Sequence, residues 1–192
     1  MEATLPHEDE DAVLTLYSHV FLAADLMLKN YKKLTDHWKK AGRLSKNREI
    51  EMRIYFATWL GYLAATGEGF QKLGMRKLLE TGRPQEFSEV IEHSNRVGKI
   101  LKMHHDALRH FRNDVFHLRE SPDKLMAFFK SKPDRVKWAE ELHASFEDFF
   151  SCYRISFAVH CALNGRTDEF RGMFGSGRPK RSRSPAQQAG SV

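Results

Sequence analysis

The chain has only two cysteines among its 192 residues. Cys152 and Cys161 stand nine residues apart on what reads as one helix, which puts them on opposite faces and about 13 Å apart by rise alone. They cannot bridge each other, which excludes a disulfide-stapled secreted domain and points to a reducing, cytoplasmic setting. Sustained apolar/polar alternation is missing too, so strands are not expected. No apolar run approaches the roughly 18 residues that a membrane span needs, so no membrane association is expected. The start, MEATLPHEDEDAV, is acidic where a secretory leader is basic and then apolar.

What is present is a good deal of apolar surface. With 41% hydrophobic and 11% aromatic residues, the chain can bury one substantial core. The net charge of +6 is unevenly spread, because Arg166, Arg171, Arg178, Lys180, Arg181 and Arg183 against Asp168 and Glu169 give residues 165–192 +4 of it. The body is then mildly basic, and an acidic partner would have to be recognised by a local cluster. The composition sets a domain over residues 1–164 and, after Gly165, a basic tail with little to bury that is expected to be disordered.

Apolar residues recur at helical spacing almost throughout, which predicts an all-α fold. A first helix is expected from about Glu8 to Lys40, with Val13, Leu16, Tyr17, Val20, Phe21, Ala24, Leu28, Tyr31 and Trp38 on or near one stripe. Gly42 interrupts it and Ser45 caps a second, Lys46 to Ala65, apolar nearly all round and therefore central. Gly67, Gly69 and Gly74 predict a bend, and Gly82 with Pro84 a turn. A third helical region spans Gln85 to Leu118. A short helix begins near Ser121-Pro122-Asp123, and the last long one follows Pro133, with Leu142, Phe146, Phe149, Phe150, Tyr153 and Phe157 on one face. Four long helices of this kind suggest a bundle. Trp38, Trp59 and Trp138 are assigned to the core.

The third region ends in HHDALRHFRNDVFH, from His104 to His117, a concentration of groups able to hold a phosphate or move a proton. Sixteen Arg and ten His give about 0.8 chance Arg-x4-His pairs. Requiring Asn, Asp or His after the arginine lowers that to roughly 0.1. Arg112-Asn113 with His117 passes that test. Arg154 and His160, followed and surrounded by core residues, do not. On a regular helix Asn113 and His117 are neighbours, whereas Arg112 lies about 140° from His117. A second copy across a two-fold axis would gather the same groups in one cleft.

FRNDVFH closes a long helix, follows an apolar IYFATWLGYL helix that runs into GEGFQKLG, and precedes a phenylalanine-rich last helix. Over roughly residues 10 to 162 this order resembles the HEPN superfamily, named for higher eukaryotes and prokaryotes nucleotide-binding. The resemblance implies a four-to-five-helix bundle that dimerises through the motif, and often a metal-independent ribonuclease of toxin-antitoxin, defence or RNA-processing systems, with an antitoxin protein as a partner in the first. Arg112, Asn113 and His117 match the signature. In one toxin subgroup a tyrosine follows the histidine by two residues. Arg119 stands there in this chain, which speaks against that subgroup's neutralisation by modification of the tyrosine.

The chemistry agrees with the resemblance. Cleavage of RNA by its own 2′-hydroxyl needs a base near neutral pKa, which histidine supplies, and a cation for the charge growing on the phosphate, which suits arginine's fork. His117 is assigned as acid or base, Arg112 as phosphate clamp and Asn113 as a positioning group, with no cofactor. Arg109 and Arg119 would extend an RNA-binding groove, or stand as solvated surface arginines. His104, His105 and His110 are assigned to a polar face. Asp106, His110, Asp114 and His117 form a stripe able to offer metal ligands, but no second helix offers a Glu-x-x-His partner. The non-catalytic alternative is a bundle that keeps the motif to bind RNA, a nucleotide or a protein.

Overall fold

The computed structural model describes residues 4–116 and 134–174. The described residues form an all-helical bundle, as the periodicity predicts. Helices α1 (Ala12–Leu16) and α2 (Leu22–Ala41) are joined through a π-turn at Tyr17–Phe21. They are followed by α3 (Lys46–Lys72), α4 (Met75–Gly82), α5 (Ser88–Phe116), α6 (Arg135–Leu163) and α7 (Thr167–Phe174). The long helices pack in succession, α2 on α3, α3 on α5 and α5 on α6. The short helix expected after Ser121 lies outside the described residues.

The stop and start between α2 and α3 fall where the sequence puts them. Gly42 takes the left-handed conformation (φ 68°) that a side chain would resist, and its N–H closes the helix on the Trp38 carbonyl at 2.8 Å. Ser45 Oγ accepts from the Arg48 N–H to cap α3. The bend expected at Gly67 and Gly69 is absent, and α3 runs unbroken to Lys72. These two glycines allow close packing instead. A β-carbon on Gly67 would sit 2.9 Å from Leu101 Cδ1, and one on Gly69 2.5 Å from Leu16 Cδ1. The turn falls at Gly74, the left-handed residue before α4 (φ 57°).

The core is aromatic. Leu142, Phe146, Phe149, Phe150, Tyr153 and Phe157 of α6 are all buried, so the predicted face is the one that packs. Phe70 of α3 meets Phe149 and Phe146 edge to face at 5.4 and 5.6 Å, the arrangement ring quadrupoles favour. Trp59 and Trp138 are buried, but Trp38 is half exposed, because α2 extends beyond the bundle there. Each buried indole finds an acceptor: Trp138 Nε1 donates to the Ile100 carbonyl at 2.8 Å, and Trp59 Nε1 to His143 Nδ1 at 3.3 Å.

His143 is itself buried against Phe21, with Nε2 3.6 Å from Asp25 Oδ1. Accepting at Nδ1 places the neutral ring's proton on Nε2, toward Asp25. Burial lowers its pKa from 6.5 to about 4, outweighing the opposite pull of Asp25.

Asp11 is fully buried and serves four donors at once. Its Oδ1 accepts from the Val13 and Leu14 N–H groups at 2.8 and 2.9 Å, capping α1. Its Oδ2 accepts from Arg83 Nη2 at 2.8 Å and from the Tyr153 hydroxyl at 2.6 Å, while Arg83 Nε donates to the same hydroxyl at 2.7 Å. Burial, then the Asp11 carboxylate, pushes the Tyr153 phenol well above its ordinary range, so it stays a neutral donor.

Two expectations are corrected. The tail set at residue 165 begins too early, because Arg166 donates to the Leu5 and Pro6 carbonyls and to Glu169, and Glu169 accepts from the Glu8 N–H at 2.9 Å. Arg166 and α7 thus fasten the amino-terminal segment to the bundle, and residues 175–192 lie outside the described residues. The stretch Ala12–Ala41 is also, by length and composition, apolar enough to cross a membrane. In the fold, Val13, Leu14, Leu16, Phe21, Ala24 and Leu28 from that stretch are buried in the core.

Two outcomes follow from these buried groups. Arg83→Met leaves the Asp11 carboxylate buried without its cation, so the unfolding free energy measured in urea should fall by about 3–5 kcal/mol. For His143, the folded pKa lies below the unfolded one. Its neutral form therefore contributes stability that is whole above pH about 6.5 and lost as pH falls through about 4, at most about 3 kcal/mol. His143→Gln should flatten that part of a Tm-against-pH curve.

Candidate functional site

The close approach of α3 and α5 builds the site. Gly67 brings α3 against Leu101 of α5, and the next residue, Glu68, reaches across to Arg112, whose Nη1 donates to Glu68 Oε2. The same guanidinium turns onto its neighbour, with Nη2 and Nε donating to Asn113 Oδ1 at 2.7 and 3.2 Å. Arg112 is thus clamped on two sides, with its side chain 29% exposed. These bonds use three of the five guanidinium N–H groups, so among the described residues two remain for a ligand.

An open cleft of about 700 Å³ surrounds this pair, lined by Glu68, Gln71 and Lys72 of α3 and by His105, Arg109, Arg112 and Asn113 of α5. His105, Arg109 and Arg112 are spaced by four and three residues, which puts them on one face of α5. Three of the lining side chains are cationic and one is anionic, so the cleft attracts anions. Two of its polar atoms, Glu68 Oε1 and His105 Nε2, are buried with no hydrogen-bond partner among the described residues. Such atoms cost free energy until a water or ligand group satisfies them.

Arg112 and Asn113 therefore come together with Arg109 in one cleft. His117 and Arg119 lie outside the described residues. His110 and Asp106 are exposed on the neighbouring face, and no group of three or more His, Cys, Asp and Glu able to hold a metal occurs among the described residues. Arg154 and His160, set aside in the sequence, engage other groups: Arg154 donates to the Tyr17 hydroxyl at 3.0 Å and lies over its ring, and His160 is 3.5 Å from Glu86.

No known protein family, curated protein or solved structure matches the chain.

The sequence reading missed Glu68, Gln71 and Lys72, and assigned His105 to a solvated face although it lines the cleft with its side chain only 21% exposed. Glu68 did leave a signal. It is the only charged residue between Ile54 and Gln71, and a lone carboxylate in an apolar helix implies a cationic partner on a neighbouring element. Which of sixteen arginines that partner is, the sequence does not say.

The Glu68–Arg112 pair is partly exposed, so its coupling should be modest. A double-mutant cycle of Glu68→Ala and Arg112→Ala should return about 1 kcal/mol of interaction energy. A coupling indistinguishable from zero in denaturant melts would show that the two helices do not hold this contact in solution.

Proposed function

We propose that the chain is a metal-independent endoribonuclease of HEPN type, acting on single-stranded RNA as a two-fold dimer. The observation that carries the reading is the Arg112 guanidinium, fixed by Glu68 and Asn113 in an open cationic cleft with two N–H groups unused among the described residues. Two such groups are what a bidentate hold on a phosphate needs, and clamping removes the entropy an arginine otherwise loses on binding.

In the proposed reaction, His117 removes the proton of the RNA 2′-hydroxyl or delivers one to the leaving group. The 2′-oxygen attacks the adjacent phosphorus, the bond to the 5′-oxygen breaks, and that oxygen takes up a proton. The products are a 2′,3′-cyclic phosphate and a 5′-hydroxyl end. Arg112 offsets the charge that grows on the phosphate oxygens. Arg109 and Lys72 hold the flanking phosphates, and Asn113 keeps Arg112 oriented. The histidine of a second copy supplies the other half of the acid–base pair. The scheme calls on no metal or cofactor.

One observation favours a second reading. The Glu68–Arg112 ion pair also serves as a strut between α3 and α5, and a strut would persist in a non-catalytic bundle that binds RNA, a nucleotide or a protein at the same cleft.

Activity separates the two. His117→Ala and Arg112→Ala should each slow cleavage of single-stranded RNA by about 10² to 10⁴, with melting curves that still show a folded chain. A chelator should leave cleavage intact, and DNA, lacking the 2′-hydroxyl, should resist. Arg119→Ala should raise KM more than it lowers kcat. Folded dimer that binds RNA and never cuts it would leave the binding reading in place of the catalytic one.

A further inference from the structure

The basic character of the body is concentrated far from the cleft. Between Lys32 and Arg53 the chain has eight Lys or Arg against three acidic residues. These residues form the end of the α2–α3 hairpin, where every residue from Asp36 to Arg53 except Leu44 and Met52 is exposed. Of the eight cations only Lys32 makes an ion pair among the described residues, at 3.9 Å from Glu140. Arg48 donates to His37 Nε2 at 2.9 Å, a neutral acceptor that leaves its charge uncancelled.

Geometry orders the charge on α2. The ring contact of Tyr31 with Phe56 and the contacts of Thr35 with Met52 and His37 with Arg48 fix which side of α2 meets α3. On the opposite side Lys29, Lys32, Lys33, Lys39 and Lys40 fall within an arc of about 120° and a length of about 17 Å. Asp36 is the one acidic residue among them besides Asp25, which Lys29 already engages at 2.6 Å.

We propose that this hairpin end is an RNA-binding arm, its lysine face tracking the phosphate backbone of a strand whose scissile bond sits in the Arg112 cleft. The inference rests on the RNA reading of that cleft. A helix that lies on a membrane needs an apolar face beside its cations, yet between Lys29 and Lys40 the lysine face has no apolar side chain: Tyr31, Leu34 and the half-exposed Trp38 lie on the opposite side of α2, and the exposed Ile50 and Ile54 belong to α3. Lys33, Lys39 and Lys40, which make no ion pair among the described residues, are suited to releasing counterions from a polyanion. Because α3 runs unbroken from the arm to Glu68, the arm stands a fixed distance from the cleft, about 22 Å from Arg53 to Glu68. Only an RNA long enough to span that gap engages both.

The test uses the full chain and 2′-O-methyl RNA, which cannot be cut, with affinity read by fluorescence anisotropy across a salt series. Lys33→Glu, Lys39→Glu, Lys40→Glu and Arg43→Glu together should weaken binding of a 20-nucleotide RNA on the order of 10²-fold and lower the salt slope by about 3, as expected for four lost phosphate contacts. A tetranucleotide, about 14 Å at one charge per 3.4 Å, should lose little affinity. The matching Lys→Gln variants, which keep the helix propensity, should move the same way by a smaller factor. Reversal of Lys77, Lys99, Lys102 and Lys137, all exposed elsewhere, is the equal-charge control. The arm is overturned if its variants bind the long RNA as the unaltered chain does, if the control loses as much, or if the arm binds phosphatidylserine vesicles and not RNA. If the unaltered chain binds no RNA, both proposals fall. If binding depends on the arm but unmodified RNA is never cut, the arm stands and the catalytic reading fails.

Discussion

The fold hangs on a carboxylate with no access to solvent. Asp11 caps α1, holds Arg83 in the turn before α5 and receives the Tyr153 hydroxyl from the middle of α6, so one side chain ties three distant segments together. A charge in that position is tolerated only when its lone pairs are filled and a cation lies beside it. The network therefore specifies one arrangement of these segments, since any shift that breaks one contact strands the others. Arg166 does similar work at the surface, joining the segment before Asp11 to α7.

With the ends fixed, the middle of the bundle can pack closely. Gly67 and Gly69 let the Leu101 and Leu16 side chains lie directly on α3, where a β-carbon would make them shift, and Glu68 stands between the two glycines. The same closeness that removes water from the core brings a carboxylate to Arg112 and leaves Glu68 Oε1 and His105 Nε2 buried in the cleft wall with no partner among the described residues. Packing and chemistry are coupled here: a larger residue at 67 would have to displace the Leu101 side chain on α5, next to the contact that holds Arg112.

Charge follows a different logic. The cleft has a small excess of cations, one of them, Arg112, held by its neighbours, whereas the hairpin end has a larger excess in which only Lys32 makes an ion pair among the described residues. Fixed cations suit orientation of one group, and free ones suit long-range attraction that salt screens. The two kinds lie at opposite ends of α3, which makes that helix the axis along which the proposed RNA contacts are arranged.

The sequence determined the helical class, the packing face of α6, the stop at Gly42 and the start at Ser45, because periodicity and capping act within a few residues of one another. It also singled out Arg112 and Asn113, since an arginine beside a small polar residue is a local pattern. Other features depend on which helices meet. The glycines of α3 read as a bend because a glycine's freedom is a local property, while the neighbour it makes room for is not. Trp38 read as core because its stripe matches the buried one, yet α2 outruns the bundle. Glu68 and His105 entered the site, and Asp11, Arg83 and Tyr153 the core, only through contacts between residues 44 to 142 positions apart, or through a cleft between two helices. Tertiary structure decided these, because pairing of distant polar groups is set by the desolvation of both partners, and desolvation exists only once the helices have packed.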